Sequence, residues 1–453
     1  MPKDDQAGRR WSSVTAGAHA VLAHRRLPIV AALVAIALVL PSLSGGWATD
    51  DYYHQFAILA PGSAREICRS PMDMFRFFDG DPARAQKFMD MGLVPWWTYP
   101  GIKGSFWRPV TVLTHCLDYR LWPTSAALMH AHSILWYGAL VAVVACFYRR
   151  FASTVWVGGL AAILYAVDDA HGMPAGWLAD RNAVLATFFG VLAVLAHDRW
   201  RRDGRWIGLV AGTVLLTLSL LSAEAGVATC AYLVAYAVAA DRGSWRARCL
   251  SLVPYLAAVV VWRILWNSLG YGVLNSGYYV DPISQPARFA VSVLRHAPVL
   301  LLGQWAMPPS DFFLLLKPPA VTRLLLTAAV FLAASTIAMI PLLRRERTAR
   351  FWAIGMVLSL VPICAAFPMD RLLLFVGVGA MGLLAQFLNF VLGRDAHRPS
   401  MVWWRLLAVP LAWAFVVIHC ILAPIALPVR VVFPLGSQEF LDQFRVRTPL
   451  DQS

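Results

Sequence analysis

The sequence is short of charge. Asp, Glu, Lys and Arg make up only 14% of its 453 residues, against about 25% in an ordinary soluble domain. So little charge cannot coat a water-soluble globule of this length, and a disordered or collagen-like chain is excluded as well. Cysteine is sparse. The seven cysteines include no CxxC pair, which removes a zinc or thioredoxin signature. Only Cys68 and Cys116 fall in a long segment expected outside the cytoplasm, and the sequence leaves a disulfide between them open. What is present is apolar: hydrophobic residues reach 59%, with a mean hydropathy of +0.60. These figures point to an all-α polytopic membrane protein.

A spanning helix needs about 20 mostly apolar residues. Candidates lie near 27–43, 126–147, 153–168, 182–197, 206–222, 225–240, 249–269, 321–343, 351–367, 372–393 and 403–427, about 11 in all. The net charge of +14 would suggest nucleic acid in a soluble protein. In a membrane protein the position of the arginines comes first. Lys3, Arg9, Arg10, Arg25 and Arg26 precede the first span, which places residues 1–26 in the cytoplasm. Arg149-Arg150, Arg199–Arg205, Arg242–Arg248, Arg344–Arg350 and Arg394–Arg405 then fall in alternate short loops, as the positive-inside rule requires. The charge is thus a topology signal, and no nucleic-acid partner is needed to explain it. A further apolar stretch, 289–306, would invert the Arg344–Arg350 loop if it crossed. It is expected to be a re-entrant or interfacial helix in a second outer loop, 270–320. The first span reads as an uncleaved anchor, because its leader is long and Ser44-Gly45-Gly46-Trp47 is a poor cleavage site. The transmembrane domain is therefore expected over 27–427, with an outer tail at 428–453. The expected location is a bacterial inner (plasma) membrane, N-terminus inside and C-terminus outside.

Residues 44–125 form a long first outer loop, rich in Trp and Tyr, that should carry interfacial helices. Within it, 106–122 has helical spacing, with Thr111, His115, Asp118 and Trp122 on one face. That face is expected to be wet. Ionisable residues gather at the outer helix ends: Asp50, Asp51 and His54 after the first span; Asp168, Asp169, His171, Asp180 and Arg181 after the third; Glu224 after the fifth; Asp370 and Arg371 before the tenth. Carboxylates at a membrane-helix mouth carry a desolvation cost unless something uses them. Asp50 or Asp51 could take a proton from an acceptor hydroxyl. Arg108, Arg181 and Arg371 add guanidinium groups suited to phosphate oxygens. The acids and His171 could also hold a divalent metal, which the sequence does not decide.

Several blocks resemble a family. Thr49-Asp50-Asp51, Phe106-Trp107-Arg108-Pro109-Val110-Thr111, Leu117–Trp122, Trp177–Asn182, Leu221-Ser222-Ala223-Glu224-Ala225, Gly277–Pro282 and Asp370–Phe375 stand in the order seen in C-type (GT-C) membrane glycosyltransferases. The likeness is to proteins related to the transmembrane-and-tetratricopeptide O-mannosyltransferases, and it covers roughly 27–395. Ala223 stands where relatives have Lys, and no tetratricopeptide repeat occurs in these residues. The resemblance implies transfer of a sugar from a polyprenyl-phosphate carrier to a protein or glycan acceptor on the outer face. It implies Asp50 or Asp51 as the catalytic base. His54, Arg108, Asp168, Asp169, His171, Arg181, Glu224, Asp370 and Arg371 are the expected substrate-binding residues. A transporter or flippase of a lipid-linked glycan and a degenerate scaffold subunit are the competing readings. The charges gather at one face rather than at the midplane, and no clear repeat is present, which favours transfer over transport.

Overall fold

The structure is a computed structural model, and it describes residues 17–59, 70–393 and 398–432. Lys3, Arg9, Arg10, Cys68, Arg394 and most of the expected tail lie outside the described residues, as does the Cys68–Cys116 pairing. Among the described residues, seven helical stretches are long and apolar enough to cross a membrane: Leu27–Ser44, Ala126–Phe151, Leu178–Asp203, Trp245–Ser268, Pro318–Arg345, Leu374–Leu392 and Val402–Arg430. Val155–Ala166, Ile207–Ser222 and Glu224–Ala240 are shorter apolar helices. Each coincides with an expected span to within a few residues. The chain is a helical integral membrane protein, and the seven long and three short helices leave the figure of about 11 crossings unestablished. Helix Arg347–Ile363 occupies the place of the ninth expected span, and helix Pro286–Trp305 forms within the stretch expected as the second outer loop.

Leu374–Leu392 is the centre of the bundle, buried along almost its whole length. It can be central because it is lined with small residues. A Cβ added to Gly379 would come within 2.7 Å of the Trp352 carbonyl, and one on Gly382 would meet the Trp352 ring at 2.5 Å. Leu27–Ser44, Trp245–Ser268, Pro318–Arg345 and Val402–Arg430 bury a much smaller share of their surfaces and form the periphery.

The two ends of the bundle differ in charge. At one end, Arg149 donates to the Ala23 and His24 carbonyls, Arg150 pairs with Asp198 and Asp203, and Arg201 pairs with Asp241. The other end carries Asp50, Asp51, Asp168, Asp169, Glu224 and Asp370. Residue 17 begins near the arginine end, and Arg430 closes the last helix at the acid end through its contacts with Asp169 and Asp370.

No sequence signal marks the small antiparallel sheet at the acid end. Strands β1 (Arg76–Asp79), β2 (Lys103–Ser105) and β3 (Gly272–Leu274) pair in that order. They join the first loop to the segment that follows Ser268. Strands of three or four residues show no readable alternation. Helix Pro109–Leu121 forms within the expected 106–122, but its orientation corrects the expectation. Thr111, His115 and Asp118 are buried, while Leu113, Leu117 and Leu121 are exposed. The polar face turns inward because Asp118 has partners there: Arg181 at 2.6 Å and His132 at 2.5 Å.

Candidate active site

Asp50 and Asp51 open helix Asp50–Leu59. The residue before them, Thr49, sits at φ +45°. A β-branched side chain in that region is strained by about 1–3 kcal/mol and must be held there by its surroundings. Asp51 does the holding. One of its carboxyl oxygens accepts from the Ala48 N–H at 3.0 Å and the other from the Ala179 N–H at 2.8 Å. The side chain is buried, and burial pushes its pKa up to about 8.

Asp50 is different. It is half-buried, and no hydrogen bond reaches its carboxylate among the described residues. Burial raises its pKa above the usual carboxylate value, Arg371 and Arg108 pull it back, and Asp180 pushes it up. These four groups therefore share one field.

Both guanidinium groups are fixed from behind. Arg108 Nε pairs with Glu224 at 2.9 Å, and its guanidinium lies over the Phe106 and Phe75 rings at 4.6 and 4.9 Å. Glu224 is itself held by the Trp107 N–H at 3.1 Å. Arg371 donates to Asp180 at 3.2 Å and lies 5.7 Å from the Trp177 ring centre. An arginine carries five N–H donors in a fixed fork. These contacts use only some of them.

A second cluster lies beside the first. Arg430 reaches Asp169 and Asp370 at 2.8 Å each and Asp311 at 2.7 Å. Asp370 also accepts from the Ser310 N–H and hydroxyl, at 2.8 and 2.6 Å. Asp168 accepts from Gln304 at 2.8 Å, and burial lifts its pKa to about 8. The dipeptide Asp370-Arg371 joins the clusters, Asp370 entering the second and Arg371 the first.

The expected residues thus divide. Asp50, Arg108, Glu224 and Arg371 come together, with Asp51 supporting the turn. Asp169 and Asp370 belong to the Arg430 cluster, while Asp168, beside them, is held by Gln304 and the Ala170 N–H. Arg181 is wholly buried and paired with Asp118, Ser133 and the Met129 carbonyl, so it is committed to the fold. His54 is buried against Phe75 and His115, and burial lowers its pKa to about 3, which keeps it neutral. His171 is buried with Tyr137 OH at 3.1 Å. Among the described residues, no group of three or more His, Cys, Asp or Glu side chains is placed to hold a metal ion. A cavity of about 290 Å³, lined by Arg345, Glu346, Gln386 and Asn389 among others, lies at the arginine end, away from these carboxylates.

Sequence reasoning left Arg430 and Asp311 out of the site. Arg430 carried a usable signal: it is a basic residue ending the last apolar run on the side otherwise poor in basic loops. Asp311 sits in a loop with no motif around it.

The bundle and its charged end define an integral membrane protein with a polar centre at one end of its helices. No family model matches the chain, and no curated protein does. Solved structures do overlay. Two of the oligosaccharyltransferase AglB from Archaeoglobus fulgidus, one apo and one with an inhibitory peptide and a dolichol-phosphate, show 14% identity and TM-scores of 0.46 and 0.47. They cover 93% and 94% of this chain, which spans 58% of theirs. ArnT from Cupriavidus metallidurans, bound to undecaprenyl phosphate, shows 17% identity and a TM-score of 0.37, over 90% of this chain and 74% of its own.

Proposed function

We propose that this chain is a GT-C-type membrane glycosyltransferase that moves a sugar from a polyprenyl-phosphate carrier to a protein or glycan acceptor on the outer face of the membrane. The observation that carries the reading is Asp50: a carboxylate with no hydrogen bond among the described residues, facing two braced guanidinium groups. In the proposed step the acceptor hydroxyl gives its proton to Asp50 as its oxygen attacks the anomeric carbon. The bond between that carbon and the phosphate oxygen breaks, and its electron pair leaves with the lipid phosphate. Arg371 and Arg108 offer N–H groups to the departing phosphate, which needs little protonation once a cation faces it. Holding acceptor and donor between one carboxylate and two guanidiniums also supplies the alignment that such a displacement needs.

The test is Asp50→Asn in membranes supplied with labelled polyprenyl-phosphate sugars. Transfer is expected to fall by at least about 10²-fold, the low end for a lost general base, while expression and thermal unfolding stay as in the parent. Undiminished transfer in a normally folded variant would remove the base and the reading with it. Lipid-carrier movement without sugar transfer would favour the flippase.

A further inference from the structure

One loop of the sheet subdomain has a surface that the fold leaves uncovered. Helix Pro82–Asp90 ends on an acid and β2 begins on Lys103, and residues 91–102 between them carry no charge. Trp96 is 81% exposed and Trp97 70%, and Leu93 and Tyr99 are exposed beside them. A water-facing surface seldom collects such side chains without a use.

The loop is held by its own turns. Leu93 N–H donates to the Phe88 carbonyl at 2.9 Å, and the Thr98 N–H and hydroxyl both donate to the Pro95 carbonyl, at 3.0 and 2.7 Å. Ile102 N–H donates to the Tyr99 carbonyl at 3.0 Å. These local bonds lower the cost of placing the loop where water is scarce.

The base of the loop fixes its height. In β2, Lys103 pairs with Leu274 and Ser105 with Gly272. Strand β3 begins at Gly272, close after Ser268, where the spanning helix Trp245–Ser268 ends. Arg76 of β1 donates to the Leu269 carbonyl at 3.1 Å. The loop therefore springs from the end of an apolar helix long enough to cross a membrane.

We propose that residues 91–102 are an interfacial anchor that dips into the leaflet on the acid-bearing side, with Trp96, Trp97 and Tyr99 at headgroup depth. Trp and Tyr favour that layer because their rings are apolar and their N–H and O–H groups stay wet. The occupant of this surface is lipid. Tyr53, on the helix that begins at Asp50, donates to the Arg76 carbonyl at 3.1 Å, so an anchored sheet would also steady that helix. The inference is independent of the reaction proposed above.

The unaltered full chain, in lipid nanodiscs doped with a phospholipid bearing a diazirine near the headgroup, gives the test. After photolysis, lipid adducts on the 91–102 peptide should equal those on Trp245–Ser268 and exceed those on the 79–82 turn several-fold. A water-soluble carbene precursor should label 91–102 weakly and 79–82 strongly. Strong aqueous labelling of 91–102 without lipid adducts would overturn the anchor. So would protection of the loop by a soluble oligosaccharide or peptide in place of lipid.

Discussion

Two neighbouring carboxylates at the start of one helix have different fates, and the difference decides what each can do. Asp51 is bound at both oxygens to backbone N–H groups, whereas no hydrogen bond reaches Asp50 among the described residues, and its pKa is set by burial and by the field of Arg371, Arg108 and Asp180. A base must be ionised to work, so the proposed reaction should lose rate as pH falls through the raised pKa of Asp50. Arg371 favours the ionised form. Arg371→Gln should therefore move the acid limb of the kcat/KM profile to higher pH, besides lowering its plateau. A lowered plateau with an unmoved limb would show that Arg371 does not act on Asp50. Asp168 makes the opposite kind of prediction, about stability. Its folded pKa of about 8 lies above the value of 3.8 expected for an unfolded Asp. Below 3.8 both states are protonated. As pH rises toward 8 the unfolded state ionises first, and stability is progressively lost. Asp168→Asn keeps a neutral group beside Gln304 and removes this titration. Thermal unfolding in detergent between pH 5 and 9 should fall less steeply for the variant than for the parent; parallel curves would show that Asp168 is ionised in the folded protein.

Among the elements, the last helix does more than cross the bilayer. Its terminal Arg430 gathers carboxylates from three separate segments: Asp169 after Val155–Ala166, Asp311 after Pro286–Trp305, and Asp370 before Leu374–Leu392. Asp370 is the neighbour of Arg371, so this clamp holds the backbone next to Arg371, whose own guanidinium is held by Asp180. Arg430→Gln leaves the three carboxylates facing one another without a cation. The cluster is partly exposed, at 22% for the Arg430 side chain. The loss should therefore fall between the ~1 kcal/mol of an exposed pair and the ~3–5 kcal/mol of a broken buried one. A lower unfolding temperature with faster proteolysis in 306–317 is the expected outcome, and Arg430→Lys should recover only part, since a point charge cannot reproduce the two-pronged contact. An unfolding temperature equal to the parent's would show that the clamp holds nothing. The sequence displayed most of these elements, because long apolar runs and caps are local signals; Ser125, for instance, accepts from the Leu128 N–H at the start of Ala126–Phe151. It did not display which of two adjacent residues faces inward. Successive residues on a helix point about 100° apart, so the partition of Asp50 from Asp51, of Asp180 from Arg181 and of Asp370 from Arg371 depends on contacts from distant elements. For the same reason the polar face of Pro109–Leu121 could be located from its spacing, while its burial against Arg181 could not.

Across the whole molecule, charge divides the bundle into an arginine end and an acid end, and the proposed chemistry needs the acid end outside. Arginine loops resist translocation, so the Arg149-Arg150, Arg199–Arg205 and Arg242–Arg248 segments should remain in the cytoplasm. Asp50, Arg371 and the sheet subdomain then face out, where a lipid-phosphate sugar could reach them. The two ends can be told apart by single cysteines placed in a cysteine-free background. Ala83→Cys lies on exposed surface beside the sheet, and Arg205→Cys lies in an exposed arginine loop. In intact cells with the outer barrier removed, a membrane-impermeant maleimide should label the first and spare the second. Detergent should then render both reactive, which checks that the second is merely shielded by the membrane. Labelling of Arg205→Cys with sparing of Ala83→Cys would put Asp50 in the cytoplasm. The proposed acceptor and donor would then have to be found on that side.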